Sequence, residues 1–206
     1  MARRNIQVGI VCVGIALLLG FFAAGYNGFL GGMNTAIHNT LLLPATSLWF
    51  SFTLVATNLG SFSTIALVSL LVCAALFLRR RFEEAVVWLL GIGVAGALSE
   101  VLKSFFELKR PLDGLVSAVG GSYPSGHTTA VFALATVLLF VFIPKIKNRV
   151  ARVLCAALAI GAATLVAYSR LALGVHWPTD IVGGIFLGTG AALVAIGLYK
   201  LANSQS

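Results

Sequence analysis

Charged residues are scarce in this chain. Of its 206 residues, 14 are lysine or arginine and 6 are aspartate or glutamate, so charged side chains make up 10% of the sequence, against roughly 25% in soluble domains. Hydrophobic residues make up 59%, and the mean hydropathy is +1.01. Because a soluble fold could not bury this much apolar surface, the composition excludes a soluble globular domain and predicts a protein that crosses the membrane several times.

Cysteine is also rare, and the acidic residues form no cluster in the sequence that would suggest a metal site. The three cysteines lie in separate apolar runs: Cys12, Cys73 and Cys155. None pairs at CxxC spacing, so they are predicted to be packing residues rather than a disulfide or a zinc site.

Apolar runs of about the length that a bilayer crossing requires recur along the chain. Six spans are predicted, over residues 7–26, 60–77, 85–102, 125–143, 153–168 and 179–199. A cleavable signal peptide competes for the first run, but its length favours a retained helix. The sequence therefore predicts an all-α bundle of six transmembrane helices, in a single domain over residues 1–206.

The segment between the first two predicted spans is more polar. Asn27–Asn34 is rich in glycine and turn-like, while Thr35–Leu43 and Ala45–Leu59 mix apolar and polar residues. We interpret it as one or two interfacial helices, with Trp49 as an anchor at the membrane surface. An interfacial structural role is predicted for His38.

The net charge of +8 is distributed in a way that indicates topology. Ten of the fourteen basic residues form short clusters between apolar runs: Arg3, Arg4, Arg79, Arg80, Arg81, Lys145, Lys147, Arg149, Arg152 and Lys200. If the chain crosses the membrane six times, these ten residues and both termini lie on the same side of the membrane. The positive-inside rule predicts that this side is cytoplasmic. The clusters are too short and separated to form a nucleic-acid surface, so no nucleic-acid partner is predicted.

The remaining basic residues fall on the opposite, extracytoplasmic side. They are Lys103, Lys109, Arg110 and Arg170. His127, His176 and Asp180 fall on the same side. The predicted topology therefore places these three residues and the four remaining basic residues at one face of the membrane. Ionisable residues of this kind are costly in a membrane and are often functional.

The first polar stretch runs from Lys103 to Pro111. Lys103 and Arg110 are seven residues apart and share a face if the helix continues, although Pro111 favours a helix end at Arg110. Two cations on one face make an anion site; the competing interpretation is that both extend to the headgroups. Glu100 and Glu107 are candidate salt-bridge partners.

The second polar stretch is Tyr123–His127. Pro124 suits the start of a helix, which would leave the backbone N–H groups of Ser125, Gly126 and His127 free to bind an anion. Gly126 permits close approach, and His127 is placed to donate a proton to a leaving oxygen. The competing interpretation is a capped helix with an interfacial histidine.

The third polar stretch is Ser169–Asp180, with the sequence SRLALGVHWPTD. Arg170 offers a guanidinium suited to phosphate, His176 a base or nucleophile, and Asp180 a carboxylate close enough to fix the tautomer of that histidine. Pro178 fits the first turn of a helix, where Asp180 would meet a favourable dipole. The competing interpretation is a loop between two spans with surface charges.

Together the three stretches supply the groups needed for phosphoryl transfer without a metal. Cations stabilise charge that develops on phosphoryl oxygens, one histidine can attack phosphorus, and the other can protonate the leaving group.

In order and spacing, Lys103–x6–Arg110–Pro111, Pro124–Ser125–Gly126–His127 and Ser169–Arg170–x5–His176–x3–Asp180 resemble the three signature motifs of the type 2 phosphatidic acid phosphatase superfamily. The resemblance implies that His176 is the nucleophile and forms a phosphohistidine, that Asp180 orients it, and that His127 protonates the leaving group and later activates water. It implies a phosphate site formed by Lys103, Arg110, Ser125, Gly126 and Arg170. It also implies a reaction without metal or cofactor.

The size and span layout resemble small bacterial members of that superfamily, which act on phosphatidylglycerophosphate, phosphatidic acid or undecaprenyl pyrophosphate. The resemblance implies a lipid phosphatase of the cell membrane that needs the bilayer and its lipid substrate but no obligatory protein partner. The alternatives are a transporter or anion-binding protein, a metal hydrolase using His127, His176 and Asp180, and a vanadate-dependent oxidase.

Overall fold

A computed structural model describes residues 1–25 and 29–203. It contains eight α-helices: α1 (Ala2–Gly25), α2 (Phe29–Leu41), α3 (Leu48–Asn58), α4 (Phe62–Leu78), α5 (Phe82–Phe106), α6 (Gly126–Val137), α7 (Arg149–Ala172) and α8 (Pro178–Ala202). Helix α6 continues through a π-helical turn and a 3₁₀ turn as far as Lys145. The described residues include no β-strand, so the prediction of an all-α protein is confirmed.

Five of these helical segments are long and apolar enough to cross a membrane: α1, α5, α6 with its extension, α7 and α8. Helices α3 and α4 together pass the same test, with a bend of 45° between them. Ser61 causes the break, since its side chain caps the N–H of Thr64 at the start of α4. The count of up to six spans agrees with the six-helix bundle predicted from the apolar runs.

Helix α8 lies at the centre of the bundle. In the apolar segment of α8 that is long enough to cross a membrane, 67% of the residues are buried. The corresponding share is 17% in α1 and in α7. Glycines allow the close packing: a Cβ on Gly190 would lie 2.8 Å from the carbonyl oxygen of Gly9 in α1. Small residues let helix backbones approach closely within a bilayer. The central helix therefore carries Asp180 at an end that neighbouring helices surround.

The two ends of the bundle differ in chemistry. At one end Lys145 forms an ion pair with Glu84 at 2.8 Å, Arg81 pairs with the same carboxylate, and Gly197 packs against Ile6. The segments that carry the basic clusters therefore meet at one end, as the span count predicts. The loops that carry the three polar motifs lie at the other end, beside α2.

The region around α2 corrects one sequence interpretation. The predicted turn over Asn27–Asn34 is wrong from Phe29 onward, because α2 begins there; Asn27 and Gly28 lie outside the described residues, as does Tyr26, the predicted end of the first span. Glycine disfavours helix locally, but contacts of α2 with α7 and α8 override that preference. At the other end of the chain, α8 continues beyond the predicted sixth span to Ala202, and residues 204–206 lie outside the described part.

Candidate active site

The first motif straddles the end of α5. Lys103 lies in the last turn, and its Nζ donates to Glu100 Oε1 at 2.6 Å, which confirms the predicted partner. The helix ends at Phe106, and Glu107 takes a left-handed conformation with φ of 46°. Arg110 therefore lies in a loop, and the seven-residue spacing does not place the two cations on one helical face.

Arg110 is held against the third motif. Its guanidinium donates to the carbonyl oxygens of residues 119–121 at 3.0–3.1 Å and to the carbonyl oxygen of Val175 at 2.9 Å. Nη1 also lies 3.0 Å from Nε2 of His176. Because guanidinium can only donate, Nε2 of that imidazole is the acceptor.

His176 lies in the tight turn between α7 and α8. Gly174 supplies the φ of +67° that this turn requires. Nδ1 of His176 lies 3.1 Å from Oδ2 of Asp180. Since Nε2 accepts from Arg110, the proton is on Nδ1 and is donated to the carboxylate. The network thus assigns the tautomer that leaves a lone pair on Nε2.

Burial and charge keep this imidazole neutral. His176 is 2% exposed. Burial, and then the positive charges of Arg110, Arg170 and Lys103, hold its pKa well below the ordinary histidine value. A neutral imidazole at neutral pH is the nucleophilic form, so the surroundings favour the state that can attack an electrophile.

Asp180 is fixed by the start of α8. Pro178 occupies the first helical position, as predicted. The backbone N–H of Trp177 donates to Asp180 Oδ2 at 2.8 Å, and the hydroxyl of Ser122 lies 3.4 Å from Oδ1. The carboxylate is fully buried. These donors hold the oxygen that accepts from His176 in one place.

The second motif begins α6, but it differs from the prediction in one respect. Ser125 is the N-cap residue, and its backbone N–H donates to the carbonyl oxygen of Asp180 at 3.1 Å. The expectation that this N–H is free to bind an anion is therefore wrong, because α6 and α8 pair at their starts. The N–H groups of Gly126 and His127 lie in the first turn of α6. Because the helix has no preceding turn, no carbonyl oxygen within it can accept these N–H groups.

Arg170 lies in the last turn of α7 and is 5% exposed. Its Nη1 donates to the hydroxyl of Thr57 in α3 at 2.6 Å. Its Nε–H has no hydrogen-bond partner in the described part of the chain. A buried donor without a partner costs free energy, and a bound anion would satisfy it.

A cavity of about 550 Å³ opens beside these groups. Its polar end is formed by Ser99, Glu100, Lys103, Gly126 and His127, and the rest runs between α4 and α5 along apolar side chains that include Ile65, Leu89 and Ile92. Ser99 Oγ is buried there without a hydrogen-bond partner among the described residues. The cavity thus joins a polar end, which holds the Lys103–Glu100 pair, to an apolar groove inside the membrane-spanning part of the bundle.

The predicted site residues therefore lie at one end of the bundle. Hydrogen bonds link Arg110, His176, Asp180 and Ser125. Lys103, Gly126 and His127 line the cavity. Arg170 and the other two cations lie within electrostatic range of both histidines. This arrangement can bind a dianionic phosphoryl group and offer it both a nucleophile and a proton donor.

Gly126→Ala is expected to impair phosphate binding without unfolding the protein. The new Cβ would lie 2.8 Å from Nζ of Lys103, and this flexible ammonium would move away from the site. We expect KM to rise by about 10- to 150-fold, since one charge-assisted hydrogen bond is worth about 1.5–3 kcal/mol. Steady-state kinetics and thermal unfolding in detergent check this. Gly161→Ala, on an exposed face of α7 where a Cβ meets nothing within 4 Å, is the matched control; equal KM values for the two variants would contradict the prediction.

Several residues that contact the site or line its cavity were not predicted from the sequence. Thr57 binds Arg170, Ser122 approaches Asp180, and Ser99 lines the cavity, yet none belongs to a motif. Hydroxyl residues are common in membrane helices, so no local signal distinguishes these. Among residues 1–25 and 29–203, no group of three or more His, Cys, Asp or Glu side chains is placed to hold a metal ion.

Comparison with known proteins agrees with this geometry. The profile of the PAP2 superfamily matches residues 84–203, which is more than half of the chain and includes all three motifs. This chain belongs to the PAP2 superfamily. The resemblance inferred from the motifs is thereby confirmed.

The chain is similar to PAP2 proteins that are named phosphatases. It is 33% identical to phosphatidylglycerophosphatase B of Bacillus subtilis over 64% of this chain and 66% of that protein. It is 30% identical to the undecaprenyl-diphosphatase of Sulfolobus acidocaldarius over 59% of this chain and 58% of that protein. The alignments thus span less than two thirds of each relative's own length.

Solved PAP2 structures share the fold. The crystal structure of a transmembrane PAP2-type phosphatidylglycerolphosphate phosphatase from Bacillus subtilis matches with a TM-score of 0.81 and 26% identity, over 96% of both chains. That of Aquifex aeolicus LpxE matches with a TM-score of 0.65 and 25% identity, over 80% of this chain and 94% of that one. These matches and the apolar helices make this PAP2 chain a multi-pass membrane protein.

Proposed function

We propose that this PAP2 protein hydrolyses the phosphate or pyrophosphate monoester of a membrane lipid, without a metal, through a phosphohistidine at His176. The observation that carries the proposal is the hydrogen-bond chain from Arg110 through His176 to Asp180, next to a cavity whose polar end contains Lys103 and His127. It supports a neutral imidazole with its Nε2 lone pair directed at the phosphate site. The names of the relatives support a lipid phosphate as substrate.

In the first step the oxygens of the substrate phosphate accept hydrogen bonds from Arg110, Arg170 and Lys103. They also accept hydrogen bonds from the N–H groups in the first turn of α6. Nε2 of His176 then attacks phosphorus, so that a P–N bond forms as the P–O bond to the lipid breaks. The negative charge of the bound phosphate offsets the three cations and favours protonated His127, which donates its proton to the departing oxygen. That oxygen leaves in a lipid alcohol, or in a lipid monophosphate when the substrate is a pyrophosphate.

In the second step His127, now neutral, removes a proton from water. The hydroxide attacks phosphorus, the P–N bond breaks, and inorganic phosphate leaves with His176 restored. During both steps the imidazole carries positive charge while it is bonded to phosphorus. The Asp180 carboxylate stabilises that charge through its hydrogen bond to Nδ1, and the three cations stabilise the phosphoryl oxygens.

The cavity supports a lipid rather than a soluble phosphate ester. Its apolar part runs between α4 and α5 inside the bundle, where an acyl or prenyl chain can stay while the headgroup meets the cations. The clustering of basic segments at the opposite end supports cytoplasmic termini and an extracytoplasmic site in the cell membrane. All the proposed groups come from one domain over residues 1–206, so the mechanism requires no protein partner.

The test is phosphate release by purified protein in detergent. The substrates are phosphatidic acid, phosphatidylglycerophosphate, a polyprenyl pyrophosphate and a soluble phosphomonoester, each with and without EDTA. We expect release from at least one lipid at a rate that EDTA leaves unchanged, and weaker release from the soluble ester. Vanadate is expected to inhibit, because it resembles pentacoordinate phosphorus.

Each arm can contradict part of the proposal. Loss of activity in EDTA that added metal restores would support the metal-hydrolase alternative. A folded protein that releases phosphate from none of the lipids would favour a transporter or anion-binding protein. Insensitivity to vanadate would contradict a histidine nucleophile.

A further inference from the structure

Helix α2 packs against the outside of the turn that carries His176. Two of its polar side chains, Asn34 and His38, are one helical turn apart and share a face. His38 is 3% exposed, although it belongs to none of the three motifs. Buried polar side chains on a short helix need partners, and both residues find them in segments that build the site.

Asn34 binds the first turn of α8. Its Nδ2 donates to the hydroxyl of Thr179 at 3.0 Å, and its Oδ1 accepts the backbone N–H of Thr179 at 3.2 Å. That N–H lies in the first helical turn and has no acceptor within α8. Thr179 directly precedes Asp180, so the amide of Asn34 fixes the backbone beside the carboxylate that binds His176.

His38 binds the loop that carries Arg110. Its Nε2 lies 2.9 and 3.0 Å from the two carboxylate oxygens of Asp113, three residues after Arg110. This hydrogen bond is the main cause of the lowered pKa of Asp113, so an ionised carboxylate accepts from Nε2–H. The His38 ring also lies 5.3 Å from the ring of Trp177, the residue after His176.

The end of α2 is attached to the same turn. The backbone N–H of Leu43 donates to the carbonyl oxygen of Ala172 at 3.0 Å. A Cβ on Gly174 would collide with Leu42 and lie 3.4 Å from Cε1 of His38. Helix α2 and the residues that follow it therefore contact the end of α7, the His176 turn and the start of α8.

We propose that Asn34 and His38 are positioning residues that hold the Arg110 loop and the start of α8 at the separation the His176–Asp180 pair requires. The inference rests on the proposed function. Arg110 reaches Nε2 of His176 at 3.0 Å only while these two segments keep their spacing. Asn34 bonds to one segment and His38 bonds to the other, and α2 joins them as one rigid helix.

The three histidines of the chain make a direct readout available. Protein labelled with ¹⁵N-histidine gives side-chain signals for His38, His127 and His176 alone, and the His38→Ala variant identifies the first of them. The chemical shifts of the His176 ring nitrogens report its tautomer and its bond to Asp180. This measurement does not depend on turnover, so it separates failure of the inference from failure of the proposed function.

Asn34→Ala removes both hydrogen bonds between Asn34 and Thr179, and Thr179→Val removes the one that the Thr179 hydroxyl accepts. Both are expected to shift or broaden the His176 signals while those of His127 stay in place. Both are expected to lower kcat by about 10- to 100-fold, since a misplacement of about 1 Å can cost about 100-fold, with KM little changed. Thr179→Ser keeps the hydroxyl and is expected to restore both readouts.

Asn39→Ala is the matched control, because Asn39 is an exposed asparagine on the same helix. It is expected to change neither the spectrum nor kcat. His38→Ala and Asp113→Ala form a second pair, and their double variant is expected to lose no more than either single variant. Thr179→Val preserves side-chain shape, so it keeps the test decisive if Asn34→Ala does not fold.

The inference is overturned if Asn34→Ala and Thr179→Val leave the His176 signals unchanged. It is also overturned if every loss of kcat in these variants is accompanied by a lower melting temperature, and if Thr179→Ser does not restore kcat. That combination would indicate a general structural role. A wild-type protein that releases phosphate from no lipid would instead overturn the proposed function, while the spectra still decide the coupling between α2 and His176.

Discussion

His176→Ala is expected to abolish lipid phosphate hydrolysis while the protein remains folded. Removing the nucleophile of a covalent mechanism costs on the order of 10⁶ in kcat in a well-studied hydrolase, so activity should fall to the background of the assay. The side chain contacts Arg110 and Asp180, both of which keep backbone partners. The fold should therefore survive, which gel filtration and thermal unfolding in detergent will check.

Trapping of the intermediate makes this test sharper. With ³²P-labelled polyprenyl pyrophosphate, rapidly quenched wild-type protein should carry acid-labile label, and His176→Ala should carry none. His127→Ala should form the intermediate more slowly and also lose it more slowly than wild type, since that residue is proposed both to protonate the leaving group and to activate water. Full activity in folded His176→Ala, or label on that variant, would reject His176 as the nucleophile. Asn39→Ala serves as the matched active control.

Asp180→Asn is expected to lower kcat by about 10²- to 10⁴-fold with little change in KM, as when a charged partner of a catalytic histidine is neutralised. The structure gives the reason. The single carboxamide oxygen can take the place of Oδ2 and still accept from His176 Nδ1 and from the Trp177 N–H. The amide nitrogen then lies near the hydroxyl of Ser122, which can accept. Geometry is thus preserved while the negative charge is lost.

The measurement is a kcat and KM comparison together with the inhibition constant for vanadate, which reports phosphate-site binding. Ser122→Ala is the control, since its hydroxyl is 3.4 Å from the carboxylate and its loss should have a much smaller effect. A large loss of vanadate affinity with nearly normal kcat would show that Asp180 holds the phosphate site rather than the charge on His176.

Much of this protein was accessible from its sequence. The apolar runs identified the membrane-spanning helices because a bilayer crossing needs about 20 apolar residues in sequence. Pro178 and Asp180 were placed correctly in the first turn of α8 because start signals of helices act within a few residues. The Lys103–Glu100 pair is also local, as it joins residues three apart on one helix.

The errors concern residues whose partners lie far along the chain. The Ser125 N–H was expected to bind an anion, but it pairs with the carbonyl of Asp180. Residues 29–34 were predicted to be a turn because glycine disfavours helix locally, yet packing of α2 makes them helical. No local pattern identified the partner of His38, which is buried against Asp113, 75 positions away.

The sequence by itself determined that this chain is a membrane protein, that its basic clusters lie together, and that its three motifs are those of the PAP2 superfamily. Composition, hydropathy and helix-start signals depend only on neighbouring residues. The tertiary structure alone decided that Arg110 fixes the tautomer of His176, that the backbone N–H of Ser125 pairs with Asp180, and that Asn34 holds Thr179, 145 positions away. Such bonds form only when packing brings distant segments within about 3 Å, and no local pattern encodes that distance.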